Sequence, residues 1–145
     1  MNIFAYFKGK ISDRAKRRAY EKSKRILDLS FPLYCKAHGV KTTDNQGALA
    51  QSHAGDRLQI IHSPVDGYPF NVYIYSVELN RILGYLQERL SKKLVELFGA
   101  GFCRDAQIKD ITGGGEYTYR GCNLVIFESM HFMQGMQADL PYLHS

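Results

Sequence analysis

The order of elements along the chain predicts an α+β, mainly β protein: a small OB-like antiparallel β-barrel of about six strands with two flanking helices, preceded by a basic N-terminal helix. Three observations carry that prediction. Short runs rich in β-branched and aromatic residues recur between turn residues, as strands of a barrel do. Strands and helices do not alternate in the long pattern of a doubly wound parallel sheet. A chain of 145 residues can also bury a core of its own without a disulfide or metal staple.

Residues 12–29 form the first predicted helix, with Ser12 able to cap its free amides and no Gly or Pro before Pro32. At about 100° per residue, Ala15, Ala19, Ser23 and Ile26 share one side, while Arg14, Arg18, Lys22 and Arg25 gather on the other. Such a face is either solvated surface on a helix packed against the domain or a stripe that meets phosphates. Residues 32–40 read as the first strand. Thr43-Asp44-Asn45 then caps a short helix over 46–53, which Gly55 stops. Residues 57–62 alternate Leu58, Ile60 and His62 against Arg57, Gln59 and Ile61, and Ser63-Pro64-Val65-Asp66-Gly67 supplies the turn that ends this strand. Residues 70–77 and 81–86 make the next hairpin. Leu90, Leu94, Val95, Leu97 and Phe98 repeat as one stripe of a helix over 88–98, with Gly99 and Gly101 as its stop. Residues 106–111 and 117–127 are the last strands, joined through Gly113-Gly114-Gly115. Residues 130–145 have no clear period.

The net charge of +5 is unevenly placed. Residues 1–30 hold nine Lys/Arg against three Asp/Glu, a local +6, so the remainder carries −1. The predicted organisation is a basic helical arm over 1–30, a barrel domain over 31–129 and a C-terminal tail over 130–145. A cationic arm suits nucleic acid or an anionic membrane surface, whereas a near-neutral domain must bind through shaped contacts. No apolar run is long enough to predict a transmembrane segment, and the apolar start meets Lys8 and Lys10 too soon for a secretory signal, so the predicted location is the cytoplasm. Cys35, Cys103 and Cys122 are odd in number and widely spaced, and read as reduced thiols rather than a disulfide framework or zinc site.

Little in the sequence points to catalysis. The three glycines lack the Lys-Ser/Thr pair and following helix of a phosphate loop, since Glu116-Tyr117-Thr118-Tyr119 comes next. Cys35 and His38 are three apart on a predicted strand and so face opposite ways. His53, His62, His131 and His144 show no zinc spacing, and no carboxylate pair stands out for acid–base chemistry. The prediction is a binding module, not an enzyme, with no cofactor and no metal. The informative stretch is Pro64-Val65-Asp66-Gly67-Tyr68-Pro69-Phe70-Asn71, followed by Leu83-Gly84-Tyr85-Leu86. On a barrel rim these segments bring Tyr68, Phe70 and Tyr85 together. There the rings either fill the barrel or stack on unpaired bases, with Asp or Asn accepting hydrogen bonds from sugar hydroxyls.

These segments resemble the HIRAN family, a module found fused to Swi/Snf-type DNA translocases and also standing alone. The similarity runs over residues 33–127. It includes Gly39-Val40 closing the first strand, Asp44-Asn45-Gln46 opening the short helix, Gly55-Asp56 before Leu58 and Ile60, and Pro64, Tyr68 and Asn71 in the loop. Gly84-Tyr85-Leu86, then Leu90 and Leu94, then residues 106–113 complete it. The resemblance implies an OB-like barrel that holds single-stranded DNA or its 3′ end, in DNA repair or replication-fork processing, with a DNA translocase or other protein as partner. It implies Tyr68, Tyr85 and Tyr117 as stacking rings, Asp66 against sugar and Arg89 on phosphate; the binding prediction adds Phe70 and Asn71 to the site, with Lys36 and the basic arm on phosphates. Pro69 stands where end-binding members carry Asp, and Val72-Tyr73 where a small and an aliphatic residue are usual, so end specificity need not accompany strand binding. The alternative is a protein-interaction or membrane-surface adaptor that works through the basic N-terminal arm.

Overall fold

The computed structural model describes residues 3–116 and 118–128, with side chains of the first helix from Asp13 onward. The predicted tail, Tyr117, His131 and His144 lie outside the described residues. The chain divides into two units, Met1–Ser30 and Phe31–Ser145.

In the first unit, helix α1 (Ile3–Ile26) begins well before Ser12, which lies inside it rather than at its cap. The preceding residues hold one Gly and no Pro, so nothing there stops a helix. Its end is a Schellman turn. Leu29 N–H donates to the Lys24 carbonyl (3.0 Å) and Asp28 N–H to that of Arg25 (3.1 Å), with Asp28 at a φ of 56°. Lys24 and Arg25 in the last turn meet the negative end of the helix dipole.

The second unit runs β1 (Leu33–Lys36), α2 (Thr43–Ala50), β2 (Arg57–His62), β3 (Val72–Ser76), β4 (Arg81–Tyr85), α3 (Glu88–Phe98), β5 (Cys103–Thr112) and β6 (Gly121–Ile126). All neighbouring strands are antiparallel, in the order β1-β6-β5-β2-β3-β4. The fold is therefore α+β and mainly β, a six-stranded antiparallel sheet curled into a half-barrel. Alternate residues of its strands, among them Leu58, Ile60, Ile74, Ile108, Leu124 and Ile126, are buried with Leu49 of α2 and Leu94 of α3. Each such side chain contributes about 1.5–3 kcal/mol on leaving water.

The curl has a visible cause. β1 ends at Lys36 instead of running to Val40 because the chain there changes partners. Ala37 N–H still donates to the Cys122 carbonyl at 2.9 Å, but His38 exchanges both backbone bonds with Tyr85 of β4, at 2.8 and 3.0 Å. This one bridge joins the two edges of the sheet. Register shifts at Ile74/Tyr75 and Ile108/Asp110 add the local bending that bulges supply. Two glycines make the seam possible: a Cβ at Gly84 would lie 2.4 Å from the His38 carbonyl oxygen, and one at Gly39 would lie 2.1 Å from the Tyr85 ring.

Other boundaries also shift. The cap of α2 is Thr42, whose hydroxyl accepts from Asn45 N–H at 3.2 Å. β6 starts at Gly121, not at 117, because the backbone of Arg120 is taken by the side chain of Gln46.

Candidate nucleic-acid interface

The loop between β2 and β3 is held in shape by hydrogen bonds across its base and its tip. Ser63 N–H donates to the Asn71 carbonyl (2.9 Å), and the Asn71 side-chain amide donates back to the Ser63 carbonyl (3.0 Å). Val65 and Tyr68 exchange backbone bonds at the tip, at 2.8 and 3.2 Å. Beneath them sits His62, buried and stacked on Phe102 with ring centroids 6.2 Å apart. Gly101 N–H donates to its Nδ1 (2.8 Å), which fixes the proton on Nε2, and Nε2 donates to the Pro69 carbonyl (2.9 Å). His62 is thus a strut tying the loop to the end of α3.

That strut presents the loop rings to a cavity of about 540 Å³, within the ~300–1,000 Å³ range of ligand sites. Its walls carry the rings of Tyr68, Phe70, Tyr73 and Tyr85, with Asn71, Glu88 and Ser91 as polar lining. Tyr68 and Tyr85 are 60% and 45% exposed, so they line an opening rather than fill the barrel. Tyr68, Phe70, Asn71 and Tyr85 are thereby brought together as the sequence predicts. Asp66 is exposed outside the lining, and so is Arg89. The carboxylate in the cavity is Glu88, in the first turn of α3, and the cation against its wall is Lys92, whose Nζ lies 5.7 Å from the Phe70 ring centroid. Residues 88, 91 and 92 share one helix face, from which position 89 is rotated by about 100°.

A second cavity, of about 610 Å³, lies across the seam. Lys36, His38, Lys41, Tyr119 and Arg120 line it together with the Gly39 and Gly113 backbone, and no carboxylate occurs among its described lining residues. Lys36 therefore belongs here and not with the aromatic loop. Tyr119 is 58% exposed, with the Lys41 Nζ 5.5 Å from its ring centroid, and it supplies a ring on the segment where the sequence points to Tyr117. Gln46 clamps the two walls. It donates to the carbonyls of Val40 (2.8 Å) and Arg120 (2.9 Å) and accepts from Arg120 N–H (2.9 Å), standing in for a strand partner. The cavities adjoin at the seam, where Gly39 of one meets the Tyr85 ring of the other.

Two thiols lie close to the second cavity in sequence, Cys35 before Lys36 and Cys122 after Gly121. Burial pushes both up to about 12, with the neighbouring Cys122 adding to the effect at Cys35 and Asp110 adding to it at Cys122. Both stay protonated at neutral pH and are poor nucleophiles. Among the described residues, no three His, Cys, Asp or Glu side chains are grouped to hold a metal ion, and no helix is long and apolar enough to cross a membrane. Searched against known proteins, the chain finds no matching family model, no matching curated protein and no matching solved structure.

Proposed function

We propose that this protein is a nucleic-acid-binding module of the HIRAN type, which takes the end of a single DNA strand across the two adjoining cavities. The observation that carries this reading is the open, four-ringed cavity beside a wall of cations. Rings exposed at a cavity suit unpaired bases, whose faces stack at about 1–3 kcal/mol each. Lys36, Lys41 and Arg120 suit the phosphates that follow. Glu88 gives the arrangement a direction. A carboxylate repels phosphate but accepts a hydrogen bond from a sugar hydroxyl, so the aromatic cavity favours a terminal nucleoside with a free hydroxyl. In this reading Glu88 takes the role that the sequence suggests for Asp66, and Lys92 that of Arg89.

Binding of fluorescent oligonucleotides tests it. The wild type should bind single strands with an affinity that falls steeply with salt and is weaker for a 3′-phosphorylated end than for a free one. Tyr68→Ala should cost at least ~1 kcal/mol. Equal binding by Tyr68→Ala and wild type removes the aromatic cavity from the interface, and equal binding of free and phosphorylated ends removes the end preference.

A further inference from the structure

We infer that the basic face of α1 binds the phosphates of a nucleic acid duplex, so that the protein grips a strand end and the double helix behind it together. The choice of a nucleic acid rests on the strand-binding reading above. α1 has 24 residues, about 36 Å of rigid rod at ~1.5 Å per residue. Arg14, Arg17, Arg18, Lys22 and Arg25 are all exposed, and helical spacing places them within one arc of about 140°. Of the acids nearby, Glu21 is held by Lys24 at 3.2 Å, and none of the five cations is in an ion pair among the described residues.

The chemistry of residues 13–19, the stretch that holds Arg14, Arg17 and Arg18, favours a phosphate-rich partner. Residues 13–19 are exposed at every position and contain no apolar side chain larger than alanine, so this stretch has neither a face to bury against protein nor a group to insert into lipid. It also offers no ring on which an unpaired base could stack. What remains is a stiff array of cations, mostly the planar, bidentate guanidinium groups that suit phosphate. A flexible single strand cannot hold its phosphates in a matching line, whereas a duplex carries a charge every ~1.7 Å along a rigid axis and has a groove that admits a helix.

The test compares three DNA probes on the full chain: a blunt hairpin duplex, the same hairpin with a short single-stranded 3′ extension, and the extension alone. With Arg14→Gln, Arg17→Gln and Arg18→Gln together, affinity for both hairpins should fall about tenfold or more at low salt. The log–log salt slope for the hairpins should become shallower by roughly 2–3, and binding of the extension alone should be unchanged. Arg→Lys at the same positions should retain most of the slope. Wild-type-like hairpin binding by the Gln variant overturns the inference, as does an equal loss on all three probes. Retention of the wild type on anionic phospholipid vesicles with no binding of the blunt hairpin overturns it in favour of a membrane surface. The strand-binding reading fails separately, when Tyr68→Ala binds the extension as the wild type does, and the blunt hairpin still decides the role of the arm.

Discussion

The two cavities that flank the seam are built by the same device and furnished with opposite chemistry. Each is shaped by one polar side chain that satisfies backbone groups from segments distant in sequence. His62 does this for the aromatic loop, joining Pro69 to Gly101, and Gln46 does it for the cationic cavity, joining Val40 to Arg120. One cavity then carries four rings and a carboxylate, the other three cations and a ring. The rim thus sets most of its exposed rings and the cations of its second cavity on opposite sides of the seam. In the proposed mode, bases would meet the four rings on one side of the backbone bridge and phosphates the three seam cations on the other.

The two sides depend on one seam, so the largest effect should come from opening it. Gly84→Ala puts a Cβ 2.4 Å from a backbone oxygen, which cannot swing away as a side-chain end can. It should cost about 1–3 kcal/mol in a denaturant titration and weaken oligonucleotide binding at both cavities together. If Gly84→Ala binds normally, the seam does not organise the interface. Next in size are the clamps. His62→Leu and Gln46→Leu each leave part-buried or exposed backbone groups without their side-chain partners, at about 0.5–1.5 kcal/mol per bond. Their binding defects should differ: His62→Leu should abolish discrimination between free and blocked 3′ ends, while Gln46→Leu should reduce the salt dependence and keep that discrimination.

The unequal legibility of the two cavities in the sequence has a physical origin. β2 and α3 fall at their predicted bounds because each is short, periodic and flanked by turn residues. The aromatic cavity is similarly local. Tyr68, Phe70, Asn71 and Tyr85 belong to one loop and the hairpin after it, so a period-2 pattern and a turn suffice to bring them together. The cationic cavity is not local at all. Its walls are separated by 74 residues at the Gln46–Arg120 bonds, and a lone Gln carries no periodic signal. Lys36 is visible as a cation, but its cavity depends on where the chain leaves β6 for β4, a tertiary event. The early start of α1 was obscured for a different reason: Ser12 can cap a helix, but a residue able to cap does not stop one that continues through it from Ile3.

A smaller effect should separate charge from stacking. Lys36→Ala, Lys41→Ala and Arg120→Ala each remove one cation, so each should flatten the log–log salt slope for single strands by roughly 0.7. Tyr85→Phe should leave the slope unchanged, since it removes no charge. Equal slopes for wild type and all three alanine variants would mean that phosphates do not reach the second cavity.

The last difference is silent at neutral pH. Cys35 and Cys122 have thiols pushed from the ordinary 9.0 to about 12 by burial, so the folded state keeps protons that the unfolded state releases above pH 9. Stability from this source is fully present below pH 9 and is lost as the pH rises from 9 towards 12. Tyr75, raised from 10.0 by burial, adds a decline of the same sign at higher pH, and its hydroxyl is also engaged by Asn80. Cys35→Ala removes one thiol from the titration without adding a buried polar group, although it deletes a little packing. Denaturation midpoints measured from pH 7 to 10.5 should therefore converge: the variant starts slightly below the wild type and falls less steeply between pH 9 and 10.5. Parallel curves would show that the thiols ionise as readily in the folded protein as in the unfolded chain, and that burial does not hold their protons.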